Sequence, residues 1–541
     1  MRFTDPRDGS LHVSDTTSDT TRDRPDAGTA APLSDAASAR IEAVCDLMLA
    51  EAREAAGLHR YDGLVQDLSG SAVAAGLARL GGAPLDDPHD EAHLQAFENG
   101  MRWHYGEYAA HRRDPLQHIA GLDLACYDRE YAPEEERAAA RATHLAAWPD
   151  AVDVAVGTLD LVSAPVATAV LPSARGLAEA LDAVPPPAAP DVVAAARAAH
   201  GRLVEHLEAI SATGDPDCAV GGTTLARALG SFEAVDVDLG ELARTAEAER
   251  ARLTDLLSAN LDRLVPGRPA GDVIAELLSD HPDANGVIEE ASALTAEVLA
   301  FTRDHDLAPW TDGECLVGPA PESRKWAMAM MAWAAPEEPD APSWYHVTPP
   351  EPDWPAQEIE DWLAVFSRTS LPAITVHEVS PGHYAHGRAL RRLPSPVRRQ
   401  LIGVTFAEGW AHYVEESVID AGFRSGDPRY VIGMCLEALV RVTRLSCSIG
   451  LHTGELTVDD AAARFASDAY LAGSAAHSEA RRGTFDIAYG RYTMGKIAIR
   501  SLRDRARERW GAQYSEPRLN RALLDLGSPP IGLLDTALDR G

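Results

Sequence analysis

The stretch Thr375-Val376-His377-Glu378-Val379-Ser380-Pro381-Gly382-His383-Tyr384-Ala385-His386 puts three imidazoles and one carboxylate into twelve residues, in a chain with 19 histidines among 541 residues. A histidine followed directly by glutamate, with another histidine close behind, is a pattern used to hold zinc for hydrolysis. The imidazoles bind the ion, and the adjacent carboxylate takes a proton from water bound to it. In His-Glu-x-x-His the imidazoles are four residues apart, about 400° around a helix, and so share a face. Here His377 and His383 are six apart, about 600°, which on a continuous helix points them away from each other. The spacing therefore predicts a break between them, and Pro381-Gly382 is placed to make it. Proline disfavours the helical conformation at Ser380, and glycine admits backbone angles closed to other residues. His386 is the rival second ligand.

Zinc needs a third protein ligand, and the next carboxylates lie on a predicted helix at 404–421. Glu408, His412 and Glu415 recur there at i, i+4 and i+7, one stripe of the helix, among Phe406, Trp410, Val414 and Val418. Glu408 and Glu415 are the carboxylates on that stripe, one a candidate ligand and the other a candidate to accept a hydrogen bond from a ligating imidazole. His412 reads as a fourth ligand or as a core or supporting histidine. A solvated charged face is the alternative for the whole stripe.

His377-Glu378-x-x-Pro381-Gly382-His383, followed by Glu408-Gly409-Trp410-Ala411-x-Tyr413-x-Glu415, resembles the bacterial family catalogued as domain of unknown function 885. Its members are regarded as zinc metallopeptidases related to the gluzincins. Gly57-Leu58-His59-Arg60-Tyr61-Asp62-Gly63, Arg441-x-x-Arg444-Leu445, Gly450-Leu451-His452, and Glu479-x-x-Arg482 with Tyr492 and Gly495 extend the resemblance over most of the chain. It implies zinc on His377, His383 and Glu408, with Glu378 as general base. His452 and Tyr492 would face the developing oxyanion, while Arg482, Arg444 and Tyr489 would line the substrate site; a structural role is the plain alternative for each. Three features depart from the family: His412 stands where an apolar residue is usual, His386 where glutamine is usual, and Phe485-Asp486-Ile487-Ala488-Tyr489 replaces a Pro-Gly-Gln segment.

Composition bounds the rest. Apolar residues make up 45% and charged residues 24%, ordinary for a soluble globular protein. A formal net charge of -34 argues against nucleic acid and anionic membrane surfaces as partners. Six cysteines, none in a Cys-x-x-Cys pair, point to reduced thiols in a cytoplasm. The basic cluster Arg388, Arg391, Arg392, Arg398 and Arg399 fits a solvated face better than a phosphate site.

The elements that must position these groups are mostly helices. Residues 1–33 are too polar to bury a core and read as a disordered tail. From Ser34, a predicted cap, Ala-, Leu- and Glu-rich stretches at 136–147, 174–183, 191–211, 241–264 and 285–304 read as helices. Pro-rich breaks fall at 185–187, 319–321 and 336–355. Within the last of these, Ser343-Trp344-Tyr345-His346-Val347-Thr348 is the best strand candidate. The resemblance implies an edge strand that pairs with extended substrate, with Tyr345 touching it; a packed surface loop is the alternative. A helix at 357–366 follows, and Leu371-Pro372 opens the metal-bearing helix.

The expectation is a mostly α, multi-helical metallopeptidase-like fold with a small edge β element beside a deep cleft. Residues 34–335 would wall the cleft and 336–541 would carry the metal. The function expected is zinc-dependent hydrolysis of amide bonds in short peptides or amino-acid conjugates. Two alternatives stand beside it: a metal enzyme of a biosynthetic pathway acting on a small non-peptide metabolite, and a non-catalytic helical binding protein. Substrate identity, endo- or exo-cleavage and oligomeric state stay open.

Overall fold

The computed structural model describes residues 34–541 except 183–186, 322–323, 325–327, 339 and 472. The expected tail at 1–33 and most of the 185–187 break lie outside the described residues. The fold is mostly α with one three-stranded sheet. Helices begin where short polar side chains satisfy the N–H groups that a first turn leaves unpaired. The Ser34 hydroxyl accepts from the Ala37 N–H at 3.2 Å and starts helix Asp35–Leu47. Asp87, Asp114, Asp238 and Asp427 cap later helices in the same way. The expected stretches at 136–147, 191–211, 241–264 and 285–304 correspond to Glu134–Thr158, Pro190–Thr213, Leu239–Leu264 and Gly286–Asp304. The stretch at 174–183 is not one helix. Ala164–Gly176 ends there at a glycine, and Glu179–Asp182 is a separate turn.

Helices Glu134–Thr158, Ala164–Gly176 and Pro190–Thr213 enclose one apolar core, with Trp148, Val170 and Leu203 at its centre. The largest core runs from Leu225 to Leu538 and joins Leu253, Val298, Trp410, Leu439 and Ile499. It crosses residue 336, so residues on both sides of that position share one apolar core.

The sheet consists of β1 (Cys315–Gly318), β2 (Ala329–Ala332) and β3 (Ser343–Val347) in the order β1-β3-β2. β3 runs parallel to β1 and antiparallel to β2. The strand expected at 343–348 exists, but it is central. Both its edges are paired, so no substrate strand can join it, and β2 is the edge strand on the side of the metal-site helices. Tyr345 is fully buried, and its hydroxyl lies 3.3 Å from Thr375 Oγ1. It packs the sheet against helix 371–378 and does not line a substrate site.

Two contacts set the helices around the site. A Cβ on Gly409 would lie 2.5 Å from Gly495 Cα, and one on Gly495 would lie 2.1 Å from the Thr405 carbonyl oxygen. Helices Val404–Asp420 and Arg491–Trp510 therefore touch backbone to backbone. The second contact is a clasp made by the loop between Gly57 and Gly63, both at positive φ (74° and 78°). His59 lies 3.2 Å from Asp62 and 3.2 Å from Glu338, stacked 3.8 Å from Tyr131. Arg129 pairs with the same Glu338.

Gly495→Ala is expected to destabilise the fold by about 1–3 kcal/mol through overpacking, read as a lower urea midpoint at unchanged slope. The clasp carries a pH signature. Burial lowers the His59 imidazole, but the Asp62 and Glu338 carboxylates outweigh burial and raise it to about 9. A raised imidazole stabilises the folded state fully below about pH 6.5 and loses that contribution as pH climbs towards 9. The melting temperature is expected to fall over this window in the wild type and less in His59→Gln.

Candidate metal centre

Helix Leu371–Glu378 has Pro372 in its first turn, where a missing N–H costs nothing. It stops at Val379, and helix His383–Leu390 begins after a cis Ser380–Pro381 peptide. Gly382 has φ -71°, not a left-handed angle. The glycine is required for a different reason: a Cβ there would sit 1.8 Å from the His377 carbonyl oxygen. The break is closed by two hydrogen bonds, from the Trp410 indole N–H to the Pro381 carbonyl (2.9 Å) and from the Ala385 N–H to the Val379 carbonyl (3.2 Å).

This bend brings the two imidazoles together, edge to face, with ring centroids 4.8 Å apart. His377 Nε2 and His383 Nε2 each lie 3.5 Å from the same Glu408 oxygen. One ligand atom from each of the three residues falls within 4.8 Å of the others, and both imidazoles are buried. Ligands at about 2.1 Å from a tetrahedral ion stand roughly 3.4 Å apart, and the two imidazole-to-Glu408 distances of 3.5 Å are close to that value. Burial alone would raise the Glu408 carboxyl, but His383 and His377 hold it well below the carboxylate range. Glu378 follows His377 directly and is 9% exposed. Among the described residues, no hydrogen bond reaches its carboxylate.

Behind His377 stands a chain of buried charges. Its Nδ1–H donates to Glu415 at 2.6 Å, and the Arg441 guanidinium donates to the same carboxylate at 3.1 Å. The Tyr430 hydroxyl donates to the Glu415 backbone carbonyl at 2.8 Å. Burial would raise Glu415, yet Arg441, His412 and His377 hold it well below its usual value. His412 is buried on this carboxylate, 3.4 Å away, and burial first of all lowers it to about 3. Among the described residues it is not in the three-ligand group.

The other expected site residues are more dispersed. His386 is fully buried and its Nε2 bonds the Gly527 carbonyl at 3.0 Å, a structural histidine and not a second ligand. His452 lies eleven residues beyond Arg441 on helix Pro428–Thr453, roughly 16 Å along the axis. Its Nε2 is bonded to the Gly483 carbonyl at 2.9 Å, so it does not reach an oxyanion at the centre. Tyr489 is fully buried, packed against Gly483, and belongs to the core. Arg444 is committed to Glu479 through two bonds of 2.7 Å. Arg482 and Tyr492 stay partly exposed and adjacent, with Nη2 3.4 Å from the hydroxyl, while Arg482 also meets Asp486 at 3.2 Å. The arginine cluster is not a solvated face. Arg388 and Arg392 pair with Asp312, Arg398 with Asp87 and Asp90, and Arg399 with Glu337. Sequence reasoning missed Trp333, which stands 6.0 Å from the His383 ring, because nothing in its local sequence points 50 residues ahead.

Arg441→Ala would leave Glu415 buried without its counter-charge. It is expected to cost about 3–5 kcal/mol in thermal or urea unfolding, and Arg441→Lys less.

Among solved structures, one described as a candidate lipoprotein of unknown function from Shewanella oneidensis matches with a TM-score of 0.74 at 18% identity, covering 95% of this chain and 100% of that one. A candidate lipoprotein from Colwellia psychrerythraea matches with a TM-score of 0.74 at 15% identity, covering 93% and 98%. These likenesses show a shared fold. Comparison with curated proteins returns no match. No described helix is long and apolar enough to cross a membrane. The family model for "Bacterial protein of unknown function (DUF885)" matches residues 28–538, and this chain belongs to that family.

Proposed function

We propose that the protein is a zinc-dependent hydrolase that cleaves amide bonds of short peptides or amino-acid conjugates. The observation that carries this reading is the convergence of His377 Nε2 and His383 Nε2 on one Glu408 oxygen, each at 3.5 Å, with Glu378 next in the chain to His377. Two imidazoles and one carboxylate are a donor set that suits zinc and leaves one tetrahedral position open. A zinc ion held there supplies Lewis acidity to a carbonyl and lowers the pKa of water. Glu378 takes the proton from that water and passes it to the leaving amine. Arg482 and Tyr492 are the groups assigned to the substrate, the arginine through planar donors suited to a carboxylate. The edge strand β2, with one side unpaired among the described residues, offers backbone groups to an extended peptide. Six free thiols support a cytoplasmic setting; the lipoprotein descriptions of the structural neighbours weigh against it.

Metal analysis of purified protein is expected to find one zinc per chain. A screen of di- and tripeptides and N-acyl amino acids should find a hydrolysed substrate, with activity removed by chelation. Glu378→Ala should keep the zinc and lower kcat by about 10²–10⁴-fold. Zinc without hydrolysis of any amide favours a metal enzyme acting on a small metabolite. A folded, metal-free wild type overturns the reading in favour of a binding protein.

A further inference from the structure

The two imidazoles of the centre are held by different means. His377 is fixed through its far nitrogen by Glu415, at 2.6 Å. The far nitrogen of His383, Nδ1, is buried and has no hydrogen-bond partner among the described residues. A ligating imidazole without such a partner needs another restraint on its ring plane. The group against it is Trp333, whose indole meets His383 at 6.0 Å and 65°, and His386 at 5.8 Å and 65°.

Trp333 is itself held from three sides. Its indole N–H donates to the Ala55 carbonyl at 3.2 Å, and its own carbonyl accepts from Arg129 Nη2 at 3.2 Å. On the third side lies helix 383–390, where a Cβ on Gly387 would come within 2.8 Å of Trp333 Cβ. Residue 387 must therefore be glycine for the indole to lie this close to the helix that carries His383. Arg129 also pairs with Glu338, which accepts from the Ala335 N–H at 2.9 Å and meets His59 at 3.2 Å. The segment after β2 is thus pinned to the N-terminal helices at both ends of a short run, and Trp333 lies within it.

We propose that Trp333 is a positioning residue that fixes the ring plane of His383 by packing, as Glu415 fixes His377 by a hydrogen bond, and that the Glu338 clasp keeps Trp333 there. N-terminal residues thereby control a ligand more than 250 positions away. This inference rests on the metal centre proposed above.

The test uses the full chain, cobalt(II) as the probe, its visible absorption bands as a report of ligand geometry, and chelator competition for affinity. Wild type is expected to take up one cobalt. Trp333→Ala should bind about 10–100-fold more weakly with altered bands, and Trp333→Phe, which keeps an aromatic face, within about threefold of wild type. Glu338→Gln should shift both readouts in the same direction by less, and it carries the test if Trp333→Ala does not fold. Leu203→Ala, in the separate N-terminal core, should lower the melting temperature and leave affinity and bands unchanged. Wild-type affinity and bands in both Trp333→Ala and Glu338→Gln, or an equal loss in Leu203→Ala, overturn the inference alone. A wild type that takes up no cobalt removes the metal centre and this inference with it.

Discussion

Around residue 408 the fold brings an ionised carboxylate and two imidazoles together in a largely buried place, and much of the structure follows from making that arrangement tolerable. Unpaired charge in such a setting costs several kcal/mol, so every member of the group has a partner of opposite character. Glu408 faces His377 and His383. His377 leans on Glu415, and Glu415 in turn is neutralised by Arg441. Arg441 also meets Glu437, one turn back on helix 428–453 and partly exposed, at 3.7 Å. The same arrangement that makes these groups compatible with a folded interior leaves one donor atom from each of His377, His383 and Glu408 within 4.8 Å of the others.

Rigid, close backbone contact provides the accuracy. Helices 404–420 and 491–510 meet through Gly409 and Gly495, so the helix that carries Glu408 and Glu415 cannot slide without a clash. The turn through Pro381 and Gly382 folds helix 383–390 back along helix 371–378 at a distance that only a residue without a side chain permits. The sheet is a second support. Tyr345 on its central strand packs against Thr375, two residues before His377, and β2 leads directly into Trp333 beside His383. The strand and its flanking segment link the N-terminal helices to the surroundings of His383, since Trp333 touches both that ring and the Ala55 carbonyl.

Much of the site was legible in the residues. The Pro-Gly bend between His377 and His383, the placement of Glu408 and Glu415 on one helical stripe, and most of the long helices follow from periodicity and from the chemistry of proline and glycine. Contacts made across long sequence separations were not legible. His452 and Tyr489 sit in recognisable motifs, yet they are spent on the Gly483 carbonyl and on core packing. The strand at 343–347 could be read from its aromatic and β-branched composition, but its central place in the sheet depends on two partners, 28 and 18 residues before it in register at Ser343 and Val347 respectively, neither with strong strand patterning. The arginines at 388–399 looked solvated because their acidic partners lie as far back as Asp87.

By itself the sequence determined where the helix between His377 and His383 had to break, that Glu408 and Glu415 share one helical stripe, and that the chain would fold mainly as helices. Local backbone chemistry and helical periodicity act over a few residues, and they leave their mark in the text of the chain. Tertiary structure alone decided which candidates converge, which are consumed by the core, and which groups each imidazole touches. Those outcomes depend on distances between residues tens to hundreds of positions apart, which are set by packing and by the pairing of buried charge, and no local pattern records them.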